Sequence, residues 1–194
     1  MDINLKTIKE FIRKHHLDAL RDVAIFILIT VIIHFAWRFW AANFNYAPIR
    51  TFMYETMDLM AREVYRESAR IISVMYEIDR NDESMQFYFP NQCMMYINES
   101  CSGLKQMLQF SLLLLIIPGP WKKKLWFIPL GVLMMHLTNL FRVTGLAVVM
   151  MNRPEYWNFS HDYIFRPLFY VVIFALWLIW VEKMAKKKKQ PKQA

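Results

Sequence analysis

Apolar positions run nearly unbroken through four stretches of the chain, and between the first two the pattern changes character. The first stretch covers residues 23–42. Val23 to Ile33 carries no charge, and Trp37 and Trp40 close the run with aromatic residues suited to a membrane interface. Three more runs cover 103–118, 125–151 and 163–181. Each is read as a transmembrane helix. A cleaved leader is the competing reading of the first run, but it is long for such a segment and Trp40-Ala41-Ala42 is a poor cleavage site.

Residues 43–100 follow other rules. From Arg50 to Tyr76, Met53, Met57, Met60, Ala61, Val64, Ile71, Ile72 and Met75 fall on one helical stripe. Asp58/Arg62, Glu63/Arg66 and Glu67/Arg70 are spaced as pairs on a helix surface. This predicts an amphipathic helix too charged to span, lying on the outer face. Asn81-Asp82 marks a turn. Met85 to Phe89 and Cys93 to Ile97, around Pro90-Asn91, predict a short β-hairpin leading to Cys101. The fold class expected is an all-α integral membrane protein, with about four transmembrane helices, the outer helix and this hairpin.

Composition agrees with segregation of charge. Apolar residues make up 56% of the 194, yet 21% are charged. The net charge of +8 does not point to nucleic acid. Residues 1–21, the 122–124 loop and the lysines of the 182–194 tail hold 14 of the 24 Lys and Arg. Beside apolar spans such clusters set topology and touch anionic lipid. Residues 1–21 read as an amphipathic helix on the inner surface, with Ile3, Ile8, Phe11 and Ile12 on its apolar face. The expectation is a multi-pass protein of the cytoplasmic membrane. Both termini lie inside, and 43–100 and 152–162 lie outside.

Three reactive side chains then fall at one depth. Counted from Trp126 at about 1.5 Å per residue, Arg142 stands roughly 24 Å along the third span, near the outer edge of a ~30 Å core. Cys101 precedes the second span, and His161 precedes the fourth. Alone, each has an ordinary explanation: a snorkelling arginine, a loop histidine, an inert thiol. Together they outline a site. A thiol at a helix N-terminus is favoured as thiolate. Ser100 or Ser102 is placed to cap that helix. Asn139 shares the face of Arg142, His136 continues it deeper, and Lys105 follows in the first turn. His34 and Arg38, four apart on the first span, pack there or line the site.

Around these residues the chain resembles the exosortase/archaeosortase family, multi-span membrane enzymes regarded as cysteine transpeptidases of C-terminal sorting signals. The resemblance lies in Cys101-Ser102-Gly103-Leu104, Asn139-Leu140-Phe141-Arg142 and His161-Asp162, in the family's order. It departs at Lys105, where arginine is common, and in having only four clear spans. The resemblance implies Cys101 as nucleophile, Arg142 as the essential arginine and His161 as third member. It implies no cofactor, and a membrane-anchored protein substrate ending in a short motif, an apolar helix and a basic tail.

Two other classes compete. One is a non-enzymatic assembly or regulatory subunit that binds a partner through its outer helix. The other is a thiol–disulfide protein using Cys93 and Cys101, whose spacing is not Cys-x-x-Cys. A metal site from His136, His161 and Cys101 matches no familiar ligand spacing.

Overall fold

The structure, a computed structural model, describes residues 18–43 and 47–185. They fall into two units, residues 1–44 and 45–194. The basic segment expected over 1–21 lies outside the described residues up to residue 17, and the tail beyond residue 185. In the first unit, α1 (Asp18–Asn43) is a helix with Leu28, Ile32, Phe35 and Phe39 exposed. Such a helix matches a lipid environment better than water.

The second unit opens with α2 (Ala47–Met75), the expected amphipathic helix. Its buried stripe is Ala61, Val64, Tyr65, Ser68, Ala69 and Ile72. Ile71 and Met75, expected on that face, are exposed, since steps of 3.6 residues from Tyr65 and Ser68 reach Ile72 instead. Two of the three expected surface pairs form, Asp58–Arg62 at 2.8 Å and Glu63–Arg66 at 2.7 Å. The third does not: Glu67 turns inward and meets His136 at 2.7 Å.

Three short strands follow, β1 (Asp79–Asn81), β2 (Gln86–Tyr88) and β3 (Met94–Tyr96), in an antiparallel meander. The expected hairpin is β2–β3. Strand β1 was hidden because Asp-Arg-Asn has no strand-forming pattern; it pairs through its backbone alone. Asn81 makes the first turn by accepting from the Glu83 and Ser84 amides. At the second turn, Asn91 donates to the carbonyls of Met150 and Met151, tying the sheet to a helix end. Phe87 stacks on Tyr65 of α2 with centroids 4.7 Å apart.

Helix α3 (Leu104–Ile116) is shorter than the expected span over 103–118. Its 13 residues reach only about 20 Å. Gly103, at a positive φ, stays outside it, and Pro118 and Pro120 stop it. Helix α4 (Trp121–Asn152) begins earlier than expected, so 122–124 is helix, not loop. Lys124, only 3% exposed, donates to the carbonyls of Leu115 and Ile117 at 3.0 and 2.6 Å. It thereby satisfies carbonyls that the short helix leaves open. The two helices pack closely where Phe110 lies over Gly131, with no room for a Cβ.

The polar stretch 152–162, expected as a loop, is helical too. A 3-10 turn (Pro154–Tyr156), one helical turn (Trp157–Phe159) and a π-turn (Ser160–Phe165) lead into α5 (Arg166–Ile179). Among the described residues, three helical stretches are long and apolar enough to cross a membrane: Asp22–Asn43, Trp121–Asn152 and Pro154–Lys183. The chain is thus a mostly helical membrane protein with a small sheet.

Tyr65 offers a test of how α2 and the sheet are joined. Its hydroxyl donates to Asp82 at 2.9 Å. Burial, then this hydrogen bond, push the phenol up from its ordinary value. The fold therefore holds the protonated form. This stabilisation is complete below the unfolded pKa of about 10 and is lost as pH rises above it. Thermal unfolding in detergent should show Tm falling above about pH 10. Tyr65→Phe should flatten that fall while costing about 1 kcal/mol at neutral pH. A variant with the same alkaline slope as wild type would refute the assignment.

Candidate active site

Cys101 ends a 3-10 turn, Glu99–Cys101, built by Asn98. The Asn98 carbonyl accepts from the Cys101 amide at 2.8 Å, and its side chain accepts from the Ser100 amide at 3.2 Å. Cys101 was expected at or near the first turn of a helix; it stands just ahead of that turn, where Gly103 adopts φ +77° and separates the 3-10 turn from α3. A side chain at Gly103 would be strained by that φ, and its Cβ would stand 3.1 Å from the Asn139 amide nitrogen. Of the two candidate caps, the Ser102 hydroxyl accepts from the Leu104 amide at 3.3 Å. Ser100 hydrogen-bonds back to Asn98.

Asn139 on α4 is fully buried and faces this turn. Its Nδ2 donates to the Cys101 carbonyl at 2.6 Å. Its Oδ1 accepts from Arg142 Nη1 at 3.4 Å. One amide thus joins the cysteine backbone to the arginine one turn further along. Arg142 lies about 27 Å along α4 from Lys124, by the helical rise.

Arg142 is only 8% exposed. Its Nη2 donates to His161 Nε2 across 3.3 Å. Arg142 lies within electrostatic range of the Cys101 side chain. No carboxylate among the described residues pairs with it, and its Nε–H has no partner there. A buried guanidinium without a counter-ion is costly to maintain, and it is an open place for negative charge.

His161 is set by the π-turn. Pro167 has no N–H, so the Tyr163 carbonyl lacks its α-register donor in this stretch. The Arg166 amide donates to the His161 carbonyl five residues back. Such widened turns are often found at functional positions. The imidazole is fixed on three sides. Trp157 stacks on it at 6.0 Å and 12°. Nδ1 meets Asp162 Oδ1 at 2.8 Å, and Arg166 holds the same oxygen at 3.0 Å. A guanidinium only donates, so Nε2 must face it with its lone pair. The ring proton then lies on Nδ1 and is donated to Asp162.

The structure therefore brings together Cys101, Asn139, Arg142 and His161, with Ser102 beside them. The other candidates fall elsewhere. His136 bonds Glu67 of α2. Lys105 is half-buried in the first turn of α3. Arg38 is exposed on α1, in the first unit. Sequence reading gave no role to Asp162, Trp157 or Arg166. The i, i+4 spacings of Trp157 with His161 and Asp162 with Arg166 were the available signal, visible only once the stretch is known to be helical. Both cysteines are free thiols. No three His, Cys, Asp or Glu side chains converge on a metal-sized site among the described residues.

No curated protein and no solved structure matches this chain. A model of the transmembrane exosortases does match, over residues 23–178 of the 194, and it covers all four of the assembled residues; the chain belongs to that family.

Proposed function

We propose that this chain is a membrane-embedded cysteine peptidase or transpeptidase. It acts on a membrane-anchored protein whose C-terminus carries a short motif, an apolar helix and a basic tail. The observation that carries the reading is Arg142, buried with no carboxylate paired to it among the described residues, facing the His161 lone pair and joined through Asn139 to the Cys101 backbone.

The chemistry follows from the three groups. Arg142 Nη2 gives up its bond to His161 Nε2 as that nitrogen takes the thiol proton, and Asp162 steadies the charge on the imidazolium. Cys101 Sγ attacks the scissile carbonyl carbon, and the oxyanion forms against Arg142 N–H donors, including the unspent Nε–H. The C–N bond breaks, and the proton on His161 passes to the leaving amine. An acyl thioester remains on Cys101. Water then releases a carboxylate, or an amine or hydroxyl takes the acyl group, and the thiol is regained. The part of the substrate that departs is its apolar helix and tail.

The experiment is the mass of such a substrate co-expressed with wild type and with Cys101→Ala. The membrane orientation has its own test. Basic clusters inside put Lys123 on the cytoplasmic face and Asn152, with the site, on the outer face of the cytoplasmic membrane. In a background lacking other cysteines, Asn152→Cys should react with an impermeant maleimide in intact cells. Lys123→Cys should react only after permeabilisation. The reverse pattern would move the site to the cytoplasm and reject a substrate presented from outside.

A further inference from the structure

The sheet has an open edge beside the nucleophile. The pairings Gln86–Tyr96, Phe87–Met95 and Tyr88–Met94 set the β2–β3 register. The Ile97 amide donates to Met85 and the Phe89 amide to Cys93, at 3.0 and 2.9 Å. These bonds fix the alternation: Cys93, Met95 and Ile97 turn their backbone groups to β2. The N–H and C=O groups of Met94 and Tyr96 therefore point away from the sheet. Among the described residues they have no partner.

The edge is short, three residues, but no charge, proline or bulge guards it. Natural sheets guard free edges with lysine, proline or a bulge. Cys93 to Ile97 contains no charge and no proline. Met95 and Ile97 are buried against the core, while Met94 and Tyr96 are 58% and 50% exposed. The strand also leads straight to Cys101. Two extended residues and the 3-10 turn separate Tyr96 from it, a path of at most about 13 Å. That is the length of about four extended residues.

We infer that β3 binds the protein substrate by strand addition. The occupant is the extended segment adjoining the scissile bond, outside the substrate's apolar helix. This rests on the peptidase reading above. A thiol can reach a peptide carbonyl only where the chain is not coiled into a helix, and an extended chain exposes donors and acceptors at every second residue. Met94 and Tyr96 offer the matching set at the same repeat. Pairing there holds the segment by its backbone and brings a carbonyl three or four residues on to Cys101.

The probe is a co-expressed membrane protein of the same genome that ends in a short motif, an apolar helix and a basic tail. The enzyme carries Cys93→Ala, Cys101→Ala and Met94→Cys. Single cysteines are walked over six positions preceding the probe's apolar helix. Side chains of directly paired residues approach closely enough for a disulfide. Crosslinking should therefore alternate with a period of two residues. Adding Tyr96→Pro removes an edge N–H without touching the β2 ladder, and should cut the yield about five- to tenfold. In the active enzyme the same change should raise KM by that factor and leave kcat and the rate of Cys101 alkylation unchanged. Uniform or absent crosslinking overturns strand addition, as does a Met94→Cys crosslink between two copies of this chain. The two proposals fail separately. Cleavage by wild type without alternation removes the docking mode alone, whereas alternation with no cleavage removes the peptidase alone.

Discussion

Cys101→Ala is expected to abolish removal of the substrate's tail, with a loss on the order of 10⁴-fold or more. The same substitution should leave the protein inserted and folded. What Cys101 contributes to the architecture is chiefly backbone: its carbonyl accepts from Asn139 and its amide donates to Asn98. Alanine keeps both. The half-buried thiol contributes little packing, so the change in stability should be below about 1 kcal/mol. Substrate binding should also survive, because neither β3 nor Arg142 is altered. The measurement is the intact mass of co-expressed substrate, with thermal unfolding of the variant beside it. A Cys101→Ala protein that still trims the tail would end the cysteine mechanism. Failure of wild type to trim any tailed neighbour, with binding retained, would favour an assembly subunit.

Much of this site was legible from the sequence because its signals are local. Cys101 follows a polar stretch and precedes an apolar one, and Arg142 is a charge inside a run that otherwise excludes charge. Depth along a helix is simple arithmetic, so placing Arg142 near His161 needed no tertiary information. Asn139 followed from helical spacing. What could not be read depended on contacts distant in sequence. Glu67 had a plausible local partner in Arg70, and only packing of α2 on α4 gives it to His136 instead. Lys124 looked like one of three solvated lysines, yet it is buried under the end of α3. The stretch 152–162 was polar enough to be read as loop. Its helical turns follow from Pro154 at a helix start and Pro167 beyond His161, and from the stacking of Trp157. The second span came out too long because apolar composition cannot show that Gly103 takes a positive φ ahead of the helix or that Ile117 turns extended before Pro118.

Arg142→Lys is expected to lower kcat/KM by about 10²–10³, although the charge is kept. The guanidinium meets Asn139 Oδ1 and His161 Nε2 from one planar fork, within electrostatic range of Cys101. An ammonium has donors enough, but they radiate from one atom on a flexible stem. It cannot hold the amide and the imidazole in place while also offering an N–H to the oxyanion. The loss should fall mostly on kcat, since the oxyanion exists only in the transition state. Arg142→Met separates charge from shape. It removes the buried cation, so the fold should tolerate it at least as well as the lysine variant, while activity should fall further. His161 would then lose the donor facing Nε2, and its ring resonances should shift in Arg142→Met more than in Arg142→Lys. If Arg142 were only a point charge near the thiol, Arg142→Lys would keep nearly full kcat. If it were only a packing element, both variants would lose stability in proportion to activity. A lysine variant with wild-type kcat/KM would remove Arg142 from the chemistry and leave Cys101 and His161 to carry it alone.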